Sequence, residues 1–381
     1  MNRKALIAMS GGVDSSVAAY ILKEQGYDLT GVTLRLCEEY TDNDDVFGEG
    51  PVSDPNAKEG PTGLDMASAI ARKLDIDFMV MDYRNEFQEF VIDPFVNAYE
   101  NGTTPNPCVE CNRCLKFGKL IDDSDEGFEG DMENAPMLAT GHYAVIEEGS
   151  ALYGDENSHR WRLAKASDPA KDQSYFLYSL DQETLSRSLF PLGNLDKNEV
   201  RKIAEKQGFV NAHRKDSQDI CFIQNGDYTG FIEAYTGKDY RDGYFVDTEG
   251  NTLGIHKGII RYTVGQRKGL GLSLKKPMYV YKIDAERNEV ILADDEQLFS
   301  RELNAEDFNW VSMAAPDKPF RALGRIRYRH KEAPCTVSVN EDGSVHIQFD
   351  EAQRAITAGQ SVVLYDIESD RYVLGGGIIS K

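Results

Sequence analysis

No stretch of this 381-residue sequence stays apolar long enough to cross a bilayer, and its start lacks the charged, apolar and small-residue succession of a secretory signal. Both absences lead to the expectation of a cytoplasmic protein with no membrane partner. Cysteine is scarce, six residues in all, which excludes the disulfide framework of a small extracellular scaffold. No internal repeat is found, so solenoids and propellers drop out. The Walker phosphate loop is missing, as is the G-x-G-x-x-G turn of dinucleotide-binding folds. What remains is a chain long enough for two or three domains, each with room for a real core.

Basic residues are also in deficit, 42 Lys and Arg against 64 Asp and Glu, for a net charge of −22. Taken whole, that balance argues against a nucleic-acid partner. The distribution of the charges points the other way. Glu38 to Glu59 holds eight acids and one lysine, and Asp122 to Glu133 holds seven acids and no base, so the two segments carry 14 of the 22 excess charges. Rich in Gly, Pro and Asp and without apolar period, they read as exposed loop insertions. By contrast Gly250 to Ile283 carries seven Lys or Arg and no acid, and Arg321 to Lys331 carries five and none.

The apolar runs "ALIAM", "LTGVTLRL", "DFMVMDY" and "PMLATGHYAVI" alternate with helical patterns such as "SSVAAYILKEQG" and "GLDMASAIARKLDI". That alternation predicts an α/β fold with a parallel sheet covered on both faces, its ligands at the carboxyl ends of the strands. Val17, Ala18, Ile21 and Leu22 recur at helical spacing, and Gly26 supplies a left-handed stop. The pattern then changes twice. Asp216 to about Tyr279 mixes glycine, aromatics and bases without βα order, which suggests a small central domain. From "PMYVYKID" and "EVILAD" to "RYVLGGGII" short strands follow closely, the mark of an all-β barrel or sandwich. The expected division is 1–215, 216–280 and 281–381.

Between the first strand and first helix lies "SGGVDSS". Ser10, Gly11 and Gly12 allow backbone N–H groups to turn inward, and a helix beginning near Ser15 adds its own N–H groups and dipole, so the turn suits a phosphate. The order resembles the PP-loop of ATP pyrophosphatases, S-G-G-x-D-S, which grips departing pyrophosphate while attack falls on the α-phosphorus. An adenylylated carbonyl-type oxygen is a good leaving group, and a nucleophile must follow.

Cysteines are placed to supply it. "PCVECNRCLKFGK" sets Cys108, Cys111 and Cys114 at the head of a basic helix, with Arg113 and Lys116 near enough to favour a thiolate. Cys221 follows in "KDSQDICFI", while Cys37 and Cys335 sit in strand-like apolar settings as inert core. Cysteines grouped this way point to redox, metal or sulfur chemistry. A structural zinc site is weaker, because no partner Cys/His pair has knuckle spacing.

Together "SGGVDSS", "TPNP", "CNRCLKF", "ATGHY", "KDQSYFLYSL", "KDSQDICFI", "TVGQRKGLG" and "LGGGII" resemble the tRNA-specific 2-thiouridylases of the MnmA type, essentially end to end. The resemblance implies ATP- and Mg2+-dependent replacement of the C2 oxygen of the wobble uridine by sulfur, in tRNAs for lysine, glutamate and glutamine. It implies an N-terminal PP-loop domain, a small central domain and a C-terminal β-barrel, with a sulfur-relay protein or cysteine desulfurase as persulfide donor. It places the persulfide on Cys221 and the second catalytic thiol on Cys111; a rival reading, less favoured, has Cys108, Cys111 and Cys221 ligate an iron–sulfur cluster whose open iron holds hydrosulfide. The ATP positions would be Ala8, Met9, Ser10, Gly11, Gly12, Val13, Asp14 and Ser15, with Leu34 on the adenine side and Gly141 near the nucleotide. Asn106, Pro107 and Cys108 would border the target base. His142, Lys171, Asp172, Gln173, Arg327, Tyr328 and Gln360 would meet tRNA. Many members carry an aspartate where Cys108 stands, so the general acid of this chain is unassigned.

The two basic stretches match an electrostatic footprint for RNA phosphates, with Tyr262 and Tyr328 available for stacking. Two other classes are weighed. A PP-loop amide ligase acting on a small carboxylate would leave both cysteine motifs and the basic C-terminal half idle, and a non-catalytic RNA-binding protein would leave the intact phosphate loop unexplained.

Overall fold

A computed structural model describes residues 3–37, 62–126, 135–153, 158–214, 220–223 and 226–380. The chain forms two compact units, one drawn from 1–88, 109–151 and 157–218, the other from 89–108, 152–156 and 219–381. Among the described residues no helix is long and apolar enough to cross a membrane.

The first unit is built on strands β1 (Lys4–Ala8), β2 (Asp28–Arg35), β3 (Asp77–Asp82) and β4 (Met137–Ala139), a hairpin of β5 (Ala144–Ser150) and β6 (His159–Lys165), and the short β7 (Ser188–Leu189). Five of them form a sheet in the order β3-β2-β1-β4-β7, every pair parallel. Helix α1 (Val13–Glu24) follows β1, and Gly26, at φ +84°, ends it as expected. Helix α2 (Gly63–Leu74) opens on a reciprocal Thr62–Asp65 capping box. Val17, Ala18 and Leu22 of α1 and Ile70 of α2 pack with Ile7 of β1, all at most 2% exposed. Burial of each large side chain contributes roughly 2 kcal/mol. β3, on the sheet edge, keeps Met79 and Val80 exposed.

The chain crosses from β1 to β2 on one side and later returns to β4 on the other, so the carboxyl ends of β1 and β4 flank the point where strand order reverses. In parallel sheets that crevice takes the ligand. The run read as one strand, "PMLATGHYAVI", is divided there: β4 stops at Ala139, β5 starts at Ala144, and Thr140–Tyr143 form the turn between them.

In the second unit β8 (Gly243–Asp247), β9 (Thr252–His256), β10 (Tyr279–Asp284) and β11 (Glu289–Ala293) form a sheet in the order β10-β11-β8-β9. β12 (Phe299–Trp310), β13 (Phe320–Arg325), β14 (Ala333–Val339), β15 (Val345–Arg354), β16 (Ser361–Tyr365) and β17 (Val373–Ile379) close into an antiparallel barrel. Ile347, Phe349, Val337, Leu364 and Cys335 fill it. Burial pushes the Cys335 thiol up to about 12, as suits inert core.

Three expectations need correction. "PMYVYKID" and "EVILAD" are not barrel strands, because β11 pairs in parallel with β8 and carries β10 into the four-stranded sheet. Tyr262 is no stacking platform: it is buried against Phe245 and His256 at ring separations of 5.1 and 5.6 Å. The second acidic segment begins as a helix, Leu120–Glu126, in which Asp123 accepts from Tyr83 (2.6 Å) and Lys119 (2.7 Å), and Asp125 accepts from Arg187 (2.6 and 2.7 Å). Its acids anchor structure. The first acidic segment and the rest of the second lie outside the described residues.

Candidate nucleotide site and cysteine loops

Backbone geometry alone makes the turn after β1 an anion cradle. Met9 is fixed by β2, its N–H donating to Val32 O (2.8 Å) and its carbonyl accepting from Thr33 Oγ1 (2.7 Å). Gly11 stands at φ +72°, and a Cβ there would lie 2.1 Å from the carbonyl oxygen of Gly63. Only glycine fits. Gly12 is the N-cap of α1, which begins at Val13, two residues earlier than expected, and no side chain caps it. The Ser15 and Ser16 hydroxyls donate back to Gly12 O at 3.1 and 3.0 Å, so the first-turn N–H groups keep their positive end for a ligand. Ala8 closes β1, and Val13 is buried beneath the turn.

Gly141, in the turn after β4, approaches the same helix end. A Cβ on it would sit 2.7 Å from Ser15 N and 2.9 Å from Asp14 C. Leu34 is half-buried near the carboxyl end of β2, in register with Met81.

Asp14 is the loop's carboxylate, and its partners come from distant parts of the chain. Lys197 Nζ donates to both Asp14 oxygens at 2.8 Å, and the Tyr143 hydroxyl donates to Oδ1 at 2.7 Å. Asn211, 1% exposed, donates to Gly11 O and Ser16 Oγ, both at 2.9 Å. Sequence reasoning missed all three, although one signal marks Lys197. It follows Asp196, the N-cap of helix Lys197–Lys206, and a cation in a first helical turn opposes the helix dipole unless a nearby carboxylate holds it. No local signal marks Asn211.

Cys108, exposed, lies on the short helical turn Pro107–Glu110, and Cys111, 6% exposed, opens the wider π-type stretch Cys111–Lys119. Pro107 stands at the first helical position, where its missing N–H costs nothing. The C-N-x-x-x-K-F spacing has a local cause. Lys116 donates to Asn112 Oδ1 (3.2 Å) one turn back, Asn112 donates to Phe176 O (3.1 Å), and Phe117 is buried beside His142 and Phe190 at 5.9 Å from each ring. The expected help of Arg113 to a neighbouring thiol is not realised at Cys114: burial raises that thiol's pKa, Arg113 opposes the rise, and Glu110, which holds Arg113 at 2.5 Å, adds to it.

Cys221 is exposed on a turn whose next residues, Phe222 and Ile223, are buried. Phe222 packs edge-on against Phe95 (5.3 Å) and against Phe231 (5.1 Å), so helix Asp93–Glu100 and helix Tyr228–Thr236 hold the cysteine's flank. Cys111 belongs to the first unit and Cys221 to the second.

Three family models match in succession: a tRNA methyl transferase HUP domain over residues 3–225, a tRNA methyl transferase PRC-barrel domain over 229–294, and an aminomethyltransferase beta-barrel domain over 300–379. The chain is 44% identical over 381 residues to the tRNA-specific 2-thiouridylase MnmA of Clostridioides difficile (strain 630), covering 100% of this chain and 99% of that one. It is 45% identical over 378 residues to the enzyme of the same name from Acetivibrio thermocellus, covering 99% of each. The chain belongs to the tRNA-specific 2-thiouridylase family.

The positions that the family resemblance assigned to tRNA divide by environment. Lys171 is half-buried, whereas Asp172 is 5% exposed and turned inward, accepting from Ala166 N (3.0 Å), Ser174 N (3.2 Å) and Ser174 Oγ (2.9 Å). Gln173 Oε1 accepts from Tyr143 N (2.9 Å), which supports the tyrosine on Asp14. His142 shares a 2.8 Å hydrogen bond with Thr140 Oγ1 and packs between Phe117 and Phe190; burial, with Lys116 adding to it, lowers its pKa to about 3, so the ring is neutral. Arg327 Nη2 donates to Val264 O (3.2 Å), Ala355 O (2.9 Å) and the Thr357 hydroxyl. The Tyr328 ring lies 5.4 Å from the Arg325 guanidinium. Gln360 Nε2 donates to Thr104 O (3.0 Å) and Pro105 O (3.1 Å), gripping the strap that leads into Asn106, Pro107 and Cys108.

Proposed function

We propose that this chain is an ATP-dependent tRNA-uridine 2-sulfurtransferase that makes 2-thiouridine at the wobble position of lysine, glutamate and glutamine tRNAs. The observation that carries the reading is the glycine turn running into an uncapped helix at the strand-order reversal, in a chain whose full length matches named 2-thiouridylases. ATP would lay its phosphates on the residues from Ala8 to Ser15, with Leu34 toward the adenine and Gly141 against the nucleotide. Asp14, the one carboxylate of the loop, has both oxygens held by Lys197, so a Mg2+ would travel on the triphosphate and spread its developing charge there.

In the chemistry proposed, O2 of the uridine attacks the α-phosphorus and pyrophosphate leaves. The terminal sulfur of a Cys221 persulfide then adds at C2, and AMP departs with the former O2. Cys111 attacks Sγ of Cys221, the S–S bond to the transferred sulfur breaks, and the thiolated base is released. A Cys111–Cys221 disulfide remains, and an external thiol must reduce it before the next cycle. A sulfur-relay protein or cysteine desulfurase would reload Cys221. The persulfide is preferred to an iron–sulfur cluster on Cys108, Cys111 and Cys221, and anaerobic iron and sulfide analysis separates them: stoichiometric iron with cluster-dependent activity would refute the persulfide route.

In functional terms the proposed division is residues 1–215 for nucleotide and Cys111, a central module from 216 whose sheet runs through Ala293, and the barrel beyond it. ATP and tRNA as substrates suit the cytoplasm. The test is nucleoside analysis of tRNA treated with the protein, ATP, magnesium and a persulfide source. We expect 2-thiouridine with wild type, and with Cys221→Ser no 2-thiouridine but unchanged tRNA affinity. Thiolation retained by the serine variant would refute the role of Cys221, and pyrophosphate release driven by ammonia and a small acid instead of tRNA would favour an amide ligase.

A further inference from the structure

Whether the turn after β1 offers N–H groups or carbonyl oxygens to an anion depends on two peptide planes, Gly11–Gly12 and Gly12–Val13. The first joins two glycines, so no Cβ resists its rotation, and half a turn would bring an oxygen where an N–H is needed. One side chain opposes that rotation. Asn211, 1% exposed, donates through its amide nitrogen to Gly11 O and to Ser16 Oγ, each at 2.9 Å. Ser16, fully buried, passes the contact on by donating to Gly12 O at 3.0 Å. Two successive carbonyls are thereby drawn to one side of the turn. No peptide bond among the described residues is cis, and in a trans peptide the N–H lies opposite the carbonyl, so the N–H groups of Gly12 and Val13 are directed to the other side. Among the described residues neither N–H has an acceptor. Successive N–H groups that face one way form a concavity for an anion.

The amide is itself held in place. Phe209 and Ala212, on either side of it, are each 4% exposed in the core of the first unit, and Phe209 meets Tyr20 of α1 edge-on at 6.4 Å. Asn211 Oδ1 is buried without a hydrogen-bond partner. Turning the amide over would set that oxygen against Gly11 O, acceptor facing acceptor, so the two donated bonds determine its orientation. An acceptor left unpaired in the interior lowers stability, and folding alone does not account for an asparagine here. We infer that Asn211 is a positioning residue for the phosphates of ATP, acting through the two peptide planes and not by contact with the nucleotide. The inference rests on the reading of this turn as the ATP site.

The test compares wild type with Asn211→Leu and Asn211→Ala by equilibrium binding of two probes, α,β-methylene-ATP and adenosine, with melting curves to follow the fold. With the planes released, affinity for the ATP analogue is expected to fall about tenfold while that for adenosine stays within about twofold. KM for ATP in tRNA-dependent pyrophosphate release should rise by the same factor as the analogue's affinity falls. Asn211→Asp, which sets a carboxylate against Gly11 O, should weaken the analogue further, by about a hundredfold. Ser16→Ala removes one branch only, because Gly12 O still accepts from Ser15 Oγ (3.1 Å) and Ser16 N (3.3 Å), and a loss of no more than about threefold is expected. Folded leucine and alanine variants that bound the analogue as tightly as wild type would overturn the inference alone. Equal losses for analogue and adenosine, or variants that unfold without ligand, would assign Asn211 to folding and overturn it too. A wild-type chain that did not bind the analogue would overturn the inference together with the reading beneath it.

Discussion

Replacing Lys197 by methionine isolates the charge balance of the phosphate loop. The substitution keeps the side chain's length and bulk but removes the ammonium 2.8 Å from both Asp14 oxygens. With the Lys197 side chain 11% exposed and that of Asp14 30% exposed, the pair is partly screened, and we expect its loss to destabilise the first unit by about 2 kcal/mol, below the roughly 3–5 kcal/mol of a fully buried pair. The larger effect concerns the ligand. An uncompensated Asp14 placed roughly 5 Å from a phosphate at an effective dielectric constant near 20 repels it by about 3 kcal/mol, or about a hundredfold in ATP affinity. Equilibrium binding of a non-hydrolysable ATP analogue measures this directly, and tRNA-dependent pyrophosphate release should fall in parallel. The double variant D14N/K197M removes both charges and should recover stability and most of the analogue affinity. ATP affinity of Lys197→Met within about threefold of wild type would refute the reasoning, because Asp14 would then have no electrostatic access to the site.

Gly141→Ala should abolish nucleotide binding, since its Cβ would press on Ser15 N at 2.7 Å and neither backbone can yield; analogue binding by calorimetry checks this. Gln360→Ala frees the carbonyls of Thr104 and Pro105, and we expect kcat for thiolation to drop about tenfold with ATP affinity unchanged, a loss of about 1.4 kcal/mol in positioning. His142 has a folded pKa of about 3, below its unfolded value, so the unfolded chain binds the extra proton and the resulting stability is lost as pH falls below about 6.5. Compared with His142→Gln by denaturant titration, wild type should lose about 3 kcal/mol more between about pH 7 and pH 4; parallel pH profiles would contradict a ring held neutral by the fold.

The elements that could be read from residues alone are those set by local chemistry. β1, α1 and the turn between them follow from apolar alternation, helical spacing and two glycines, and the structure moves the helix start by only two residues. The division of "PMLATGHYAVI" at Thr140–Tyr143 was hidden because its cause is tertiary: Gly141 lies against α1, whereas the run itself is mostly apolar. The place of β10 and β11 was hidden for a similar reason, since the partner β8 lies more than thirty residues upstream and strand propensity does not name a partner. Tyr262 read as a stacking residue because it stands among basic neighbours, while its own ring turns into the core. The glycine loop and both cysteine motifs could be singled out as candidates from residues alone, but Lys197, Tyr143 and Asn211 act through contacts made 129 to 200 positions away, beyond any local pattern.

The grip of Gln360 on the Thr104–Pro105 strap spans more than 250 positions, and its turn is secured by Ile379, which accepts from Gly359 N and donates to Gln360 O. During synthesis the strap beside Cys108 therefore leaves the ribosome long before the clamp that fixes it. A nascent chain can complete the turn after β1 while the strap into Asn106, Pro107 and Cys108 is still slack. In the proposed reading, a base can be held beside Cys108 only once the barrel has closed on that strap.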